Sequence, residues 1–210
     1  MMWTKEEMAK QVIKLFDKNS TINLGIGLPT IIPDQLPKDH PFIIHSENGV
    51  LGVGDSPLKD NVSATLINAG KETITVEKGA SFFDSSMSFG MIRGGHIDFC
   101  VLGGMEVDIE GSLANWKIPG KKITGMGGAM DLVNGAKNLI VMMKHYSKSG
   151  KPKLLPLCEL PLTGKNVVHY VVTDYGSFKI EKKKFKALEL ASNVTIESLN
   201  KDFSSDIFIE

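Results

Sequence analysis

What this 210-residue chain lacks removes most specialised classes at once. It holds only two cysteines, Cys100 and Cys158, far apart and without CxxC spacing. A disulfide framework is therefore not expected, and a reducing compartment fits. Charge of either sign is not in excess: 24 basic and 24 acidic side chains cancel. A nucleic-acid partner and a membrane surface both lose their usual electrostatic signature. Long hydrophobic runs are missing too, since the fully apolar stretches reach only about five residues, as in Leu139 to Met143, far short of a bilayer span. Met1 to Glu7 has neither the apolar core of a signal peptide nor a transit-peptide composition, so a cytoplasmic location is expected. The five histidines show no HxxxH spacing, which leaves metal ligation without a motif. Neither a phosphate-binding P-loop, a full GxGxxG, nor a GxSxG elbow occurs.

Glycine, by contrast, is abundant: 21 residues, about a tenth of the chain, against the usual ~7%. The glycines collect at the ends of apolar runs. Thr4 and Glu7 form a capping box, and Met8, Val12, Leu15 and Phe16 follow as one helical stripe. Thr21 to Leu24 reads as a strand, with Pro29 starting a helix towards Gln35. Further strands are expected at Phe42–His45, Thr65–Asn68, Thr73–Val76, Ile97–Leu102, Leu139–Met143 and Val167–Thr173. Helices fit Ser85–Arg93 and a segment opening near Gly128 to Asp131. From Ser177 the chain turns to short alternating strands around Lys182 to Lys184, a solvated hairpin, with a closing helix near Thr195 to Asn200. Strands separated by helices imply an α/β fold: a single open, mostly parallel sheet flanked by helices. No linker or repeat interrupts it, so residues 1–210 are expected to form one domain.

In such a sheet, ligands bind outside the carboxyl ends of the strands. Gly25 and Gly27, Gly49 with Gly52 and Gly54, Gly103 and Gly104, and Gly125, Gly127 and Gly128 all sit in those turns. The most informative run is Phe42-Ile43-Ile44-His45-Ser46-Glu47-Asn48-Gly49. An apolar segment, expected to be covered on both faces, breaks there into an Asn-Gly turn that carries one carboxylate. Glu47 so placed suits nucleophilic or acid/base work. Taken alone it reads first as a polar turn residue. Glycines 49, 52 and 54 would let backbone approach a ligand, and amides around Gly127 could hold a phosphate or an oxyanion. His45 reads as structural rather than catalytic, and Cys100 as a small buried hydrophobe.

The run Ile44 to Gly52 closely resembles the Ser-Glu-Asn-Gly motif of family I CoA-transferases, in their B (β) subunit. Ile44 stands where that family often has Leu or Phe. Other blocks follow in the family's order: Asn23 to Thr30, Asn68 to Thr73, Arg93 to Asp98, Leu113 to Trp116, Gly125 to Val133 and Leu160 to Gly164. Together they cover most of the chain from about residue 8 to residue 175. The resemblance implies a fold of the NagB/RpiA/CoA-transferase type. It also implies a CoA transfer from succinyl-CoA to a 3-oxoacid such as acetoacetate, through a covalent glutamyl-CoA thioester on Glu47. Asn23, Gly25, Gly27, Asn48, Lys71, Gly127, Gly128 and Ala129 would then bind CoA or stabilise oxyanions. Coenzyme A is a substrate in that scheme, and no cofactor or metal is implied. An A subunit of related fold is implied as partner, in an A2B2 assembly, with acyl-CoA and carboxylic or 3-oxo acids as ligands. Acetate or butyrate donors, or 3-oxoadipate as acceptor, fit the same chemistry. Outside it stand a sugar-phosphate isomerase of similar architecture, which would need a basic phosphate pocket, and a non-enzymatic acyl-CoA-binding regulator.

Overall fold

The computed structural model of the protein describes residues 1–120, 123 and 125–210. In chain order it contains α1 (Lys5–Ile13), β1 (Thr21–Leu24), β2 (Ile43–Ser46), β3 (Val50–Val53), β4 (Val76–Phe82), α2 (Ser85–Arg93) and β5 (Phe99–Leu102). There follow β6 (Glu106–Asp108), β7 (Leu113–Ala114), α3 (Ala129–Gly135), β8 (Asn138–Met142), β9 (Leu154–Leu155) and β10 (Tyr170–Val172). The tail adds β11 (Gly176–Glu181), β12 (Lys184–Leu190), α4 (Ile196–Asn200) and β13 (Phe208–Ile209).

Ten strands form one sheet in the order β13-β12-β11-β10-β8-β5-β1-β2-β3-β4. Its centre, β10-β8-β5-β1-β2, is parallel throughout. The flanks turn antiparallel, at β2-β3-β4 on one side and at β10-β11-β12 on the other. The mostly parallel α/β fold read from the sequence is therefore present, with two additions. Strands β7-β6-β9 make a separate small sheet, and the tail hairpin joins the main one.

Alternation along the central strands shows how the core is divided. Phe99, Val101, Ile140 and Met142 face one apolar cluster, with Met8 and Val12 of α1 packed on it. Cys100, Leu102, Leu139 and Val141 face the other, beneath Ile92 of α2, Leu132 of α3 and the tail phenylalanines. Burial on both faces is what a crossover-connected parallel sheet requires, and it explains the uninterrupted apolar strands. Each fully buried Val, Leu or Phe contributes roughly 1.5–3 kcal/mol.

Several local expectations are corrected. Pro29 opens a short 3-10 turn, Leu28–Ile31, and Pro33 opens a second, Pro33–Gln35, in place of one α-helix; Pro33 has no N–H to continue an α-helical ladder. Ile43 is 45% exposed, so β2 is covered fully on one face only. Thr65–Asn68 and Thr73–Val76 are not a strand pair. A single bridge, Ile67 with Thr73, joins them, and the strand that follows runs from Val76 to Phe82. The turn glycines serve neighbouring backbone more than a ligand. A Cβ on Gly49 (φ +117°) would fall 1.9 Å from the Phe83 carbonyl, and one on Gly52 3.1 Å from Ala80. Both let β4 approach β3.

Candidate active site

β1 pairs with β2 on one side and with β5 on the other. The chain leaves β1 towards β2 and later returns to β5, so the carboxyl end of β1 is a switch point where the connections diverge and a crevice opens. A cavity of about 840 Å³ lies there. Gly25 and Ile26 after β1, Glu47 and Asn48 after β2, Leu102 to Met105 after β5, and the 125–129 loop line it. Glu47 is the only charged residue among its described lining residues.

Glu47 is carried by a hairpin rather than by a free strand end. β2 and β3 pair antiparallel, His45 with Leu51 and Ser46 with Val50, and the Gly49 N–H donates to the Ser46 carbonyl at 3.0 Å. Glu47, Asn48 and Gly49 form the turn, and Gly49 supplies its positive φ. Side chains on either side of Glu47 tie the bend down. The Ser46 hydroxyl accepts from the Ala69 N–H at 3.0 Å, and the Asn48 amide donates to the Ile67 carbonyl at 2.8 Å. Glu47 is left half-buried, its carboxylate turned into the cavity.

Asn23 meets it from β1. Register places Asn23 opposite His45 and opposite Cys100, so the three share one face of the sheet. Fully buried, the Asn23 amide nitrogen lies 3.1 Å from Glu47 Oε2 and 3.0 Å from His45 Nδ1. The other His45 nitrogen, Nε2, is 3.0 Å from the Ser88 hydroxyl on α2. Burial holds the His45 ring down to a pKa of about 4, so it is neutral at physiological pH. Burial likewise drives the Cys100 thiol well above its usual range, with the Glu47 charge adding to the effect. Cys100 therefore stays a protonated core residue.

Gly128 faces the same carboxylate. A Cβ there would stand 3.0 Å from the Phe89 ring and 3.9 Å from Glu47 Cγ. Its φ of −79° is ordinary, so it is the space, not the backbone, that calls for glycine. Gly127 does need a left-handed backbone (φ +53°). The Ala129 N–H donates to the Met126 carbonyl at 3.1 Å, whereas those of Gly127 and Gly128 have no acceptor among the described residues.

Not every expected residue converges. Gly25 lines the cavity but is packed against β5, where a Cβ would meet Leu102 at 2.7 Å. Gly27 (φ +96°) forms the following turn, outside the lining. Lys71 borders a second cavity of about 580 Å³ with Asp34, Ser56 and Glu72, and that cavity is also lined by His45 and Ser46. The Ser46–Glu47 bend thus divides the two. Sequence reasoning misses Ser88, Phe89, Met105 and Asn115, which line or support the main cavity. The signal that could find Asn115 is its place in the Leu113–Trp116 block. Its amide donates to the Gly103 carbonyl at 3.1 Å, and its own carbonyl oxygen accepts from the Thr163 hydroxyl at 2.6 Å. No group of three His, Cys, Asp or Glu side chains able to hold a metal occurs among the described residues. Nor, among them, is any helix long and apolar enough to cross a membrane.

Residues 5–201 match the family model described as coenzyme A transferase. The chain is 51% identical to the B subunit of the succinyl-CoA:3-ketoacid coenzyme A transferase of Helicobacter pylori, over 93% of this chain and 94% of that one. It is 43% identical to the beta subunit of the acetate CoA-transferase of Haemophilus influenzae, over 99% of this chain and 93% of that one. Among solved structures, the acyl-CoA transferase YdiF of Escherichia coli O157:H7 has the same fold, with a TM-score of 0.75 at 19% identity. That match covers 99% of this chain, which spans only 42% of the larger protein. A hairpin-borne glutamate at a sheet's switch point, inside a sequence matched almost end to end, leads to one assignment: the chain belongs to the coenzyme A transferase family.

Proposed function

We propose that this chain is the nucleophile-bearing B subunit of a CoA-transferase that moves CoA from succinyl-CoA to a 3-oxoacid such as acetoacetate. The observation that carries the reading is the Glu47 carboxylate, held through Oε2 by the Asn23 amide at 3.1 Å and opening on a cavity that contains no other charge among its described lining residues. The name of the 51%-identical Helicobacter relative supports the substrate pair.

The chemistry follows from that placement. Glu47 Oε1 attacks the thioester carbonyl, and the C–S bond breaks to give an acyl-glutamyl anhydride and CoA thiolate. The thiolate then attacks Glu47 Cδ and expels the donor carboxylate, leaving a glutamyl-CoA thioester. The acceptor carboxylate attacks the same carbon, regenerates thiolate and forms a new anhydride. The thiolate finally takes the acyl group and frees Glu47. Two oxygens carry developing charge at different steps. The acyl oxygen would be met by the Gly127 and Gly128 amides, and Glu47 Oε2 by the Asn23 amide. α3, with seven residues, adds little as a dipole, so the individual donors matter. The apolar wall of Phe89, Leu102, Met105 and Leu132 would exclude water, which otherwise hydrolyses the anhydride.

Asn48, engaged with Ile67, acts by fixing the bend, and Lys71 faces CoA from the second cavity. No cofactor enters the scheme. Acetate as the donor acid is the second reading, favoured by the Haemophilus relative's name and by a described lining with no charge other than Glu47. A sugar-phosphate isomerase is disfavoured because no lysine or arginine lines the main cavity among the described residues. We further assign the chain an A-subunit partner, on the pattern of relatives named as subunits, and propose an A2B2 assembly and a cytoplasmic location for it. The test is trapping: incubation of the assembled enzyme with acyl-CoA and then borohydride should reduce and mark Glu47 alone. Mass spectrometry that finds the label elsewhere, or no label, overturns the mechanism.

A further inference from the structure

We propose that His45 and Ser88 form a buried positioning relay that fixes the orientation of the Asn23 amide and, through it, the Glu47 carboxylate. The inference rests on Glu47 being the nucleophile. It goes beyond that reading by giving a function to two residues that touch neither substrate nor reacting atoms.

Hydrogen-bonding capacity leaves one arrangement. A carboxylate only accepts, so the Asn23 atom 3.1 Å from Glu47 Oε2 must be the amide nitrogen. That same nitrogen is 3.0 Å from His45 Nδ1, which must then accept as well. A neutral imidazole has one N–H, so it sits on Nε2 and donates to Ser88 Oγ at 3.0 Å. The carbonyl oxygen of Asn23 points the other way, towards the protonated Cys100 sulfur at 3.9 Å. Both Asn23 N–H groups are thereby directed, with a secondary contact to the His45 carbonyl at 3.3 Å. His45 is 1% exposed and Asn23 and Ser88 are 0% exposed, so the three groups share almost no surface with bulk water. The His45 ring lies parallel to Phe83, 6.1 Å away and 14° from coplanar, which fixes its plane. Three elements are thus connected in one line, from α2 through β2 to β1 and the carboxylate.

Each link sets the next. Without the Ser88 acceptor, the proton has no reason to stay on Nε2. With the proton on Nδ1, the ring can no longer accept from Asn23. The amide then turns over and presents its oxygen to the carboxylate, which repels it. Glu47 would lose the donor at the oxygen that becomes the oxyanion.

The experiment compares Ser88→Ala, Ser88→Thr and His45→Phe in the chain assembled with its partner. Misplacement of a reacting group by about 1 Å can cost 10²-fold. By that measure Ser88→Ala should slow Glu47 thioester trapping about 10-fold and His45→Phe about 10²-fold. The KM for acyl-CoA should hold, and Ser88→Thr, which keeps the hydroxyl, should restore the rate. Nitrogen-15 histidine NMR of the chain alone should show His45 as the Nε2–H tautomer, and a shift to Nδ1–H in Ser88→Ala. Folded variants that trap at the wild-type rate, or a wild-type ring protonated on Nδ1, overturn the relay. Wild-type enzyme that labels no Glu47 overturns the nucleophile instead, while the tautomer still decides the relay.

Discussion

Two buried histidines, His45 on β2 and His145 just past β8, invite comparison. Each is 1% exposed, and burial lowers each ring to a pKa of about 4. Their surroundings differ. His45 spans two polar side chains and leads to Glu47. His145, just past β8, sits among the rings of Tyr146, Tyr175, Phe178 and Phe208, at 4.8–6.1 Å. Its Nδ1 lies 3.0 Å from the Thr173 hydroxyl, and its backbone N–H donates to Asp174 at 2.8 Å. That second cluster joins β8, β10 and the tail, and Asp174 also pairs with Lys144 at 3.0 Å. One region converts burial into orientation, the other into cohesion. The difference teaches that residue type, depth and pKa direction do not assign a role; the chain of hydrogen-bond partners does.

The sharpest test of that contrast is Glu47→Gln. A glutamine amide cannot act as the attacking carboxylate, so exchange should fall by at least about 10³-fold, equivalent to roughly 4 kcal/mol of transition-state stabilisation. The melting temperature should stay near that of the wild type. Near-normal exchange would remove the functional half of the comparison.

Gly128→Val comes next. Its backbone tolerates a side chain, but the added methyls meet Phe89 and Glu47. Loss of one oxyanion donor costs about 10²–10³ in kcat, and we expect that range with solubility and assembly retained. A soluble variant exchanging CoA normally would show that the turn is structural only.

The cohesive region should respond to acid instead of substrate. A histidine whose folded pKa lies below its unfolded value binds its proton more tightly when unfolded. Its share of stability is therefore complete above pH 6.5 and is lost as pH falls towards 4. Each ring accounts for up to about 3 kcal/mol across that window. Urea unfolding at pH 7 and pH 5 should show wild type losing stability, and His145→Gln losing less over the same interval. Turnover at pH 7 should barely change in that variant. An unchanged pH slope would mean that the His145 ring is solvated.

Much of the fold is legible because local chemistry and tertiary packing agree. The Thr4–Glu7 capping box does start α1. Ser85–Arg93 is helical over the expected residues, with the Asp84 side chain accepting from the Met87 N–H. The apolar runs around Cys100 and Ile140 are central strands. β4 is hidden in the sequence because Glu77, Lys78 and Gly79 break its pattern, and an antiparallel strand at the sheet's edge can leave those positions exposed. Two-residue strands such as β7 and β9 carry no periodicity to read. The tail reads as a hairpin, and Lys182 and Lys183 do occupy its left-handed turn; that it extends the main sheet depends on partners far away in sequence. Glu47 and Asn23 can be picked out because each lies in a recognisable block. Ser88 cannot. A serine within a helix looks the same whether it faces water or a histidine 43 residues away.

Lys71 adds a consequence for anyone improving this protein's robustness. It adopts φ +65°, within the Asn68–Glu72 turn whose Ala69 N–H reaches the Ser46 hydroxyl. A lysine held there carries a penalty that glycine avoids, so Lys71→Gly should raise the stability of the turn by about 1 kcal/mol. The same change removes the ammonium we assign to CoA, and KM for acyl-CoA should rise as thermal tolerance improves. A screen for heat resistance would favour that exchange, and a screen for turnover at low substrate would reject it.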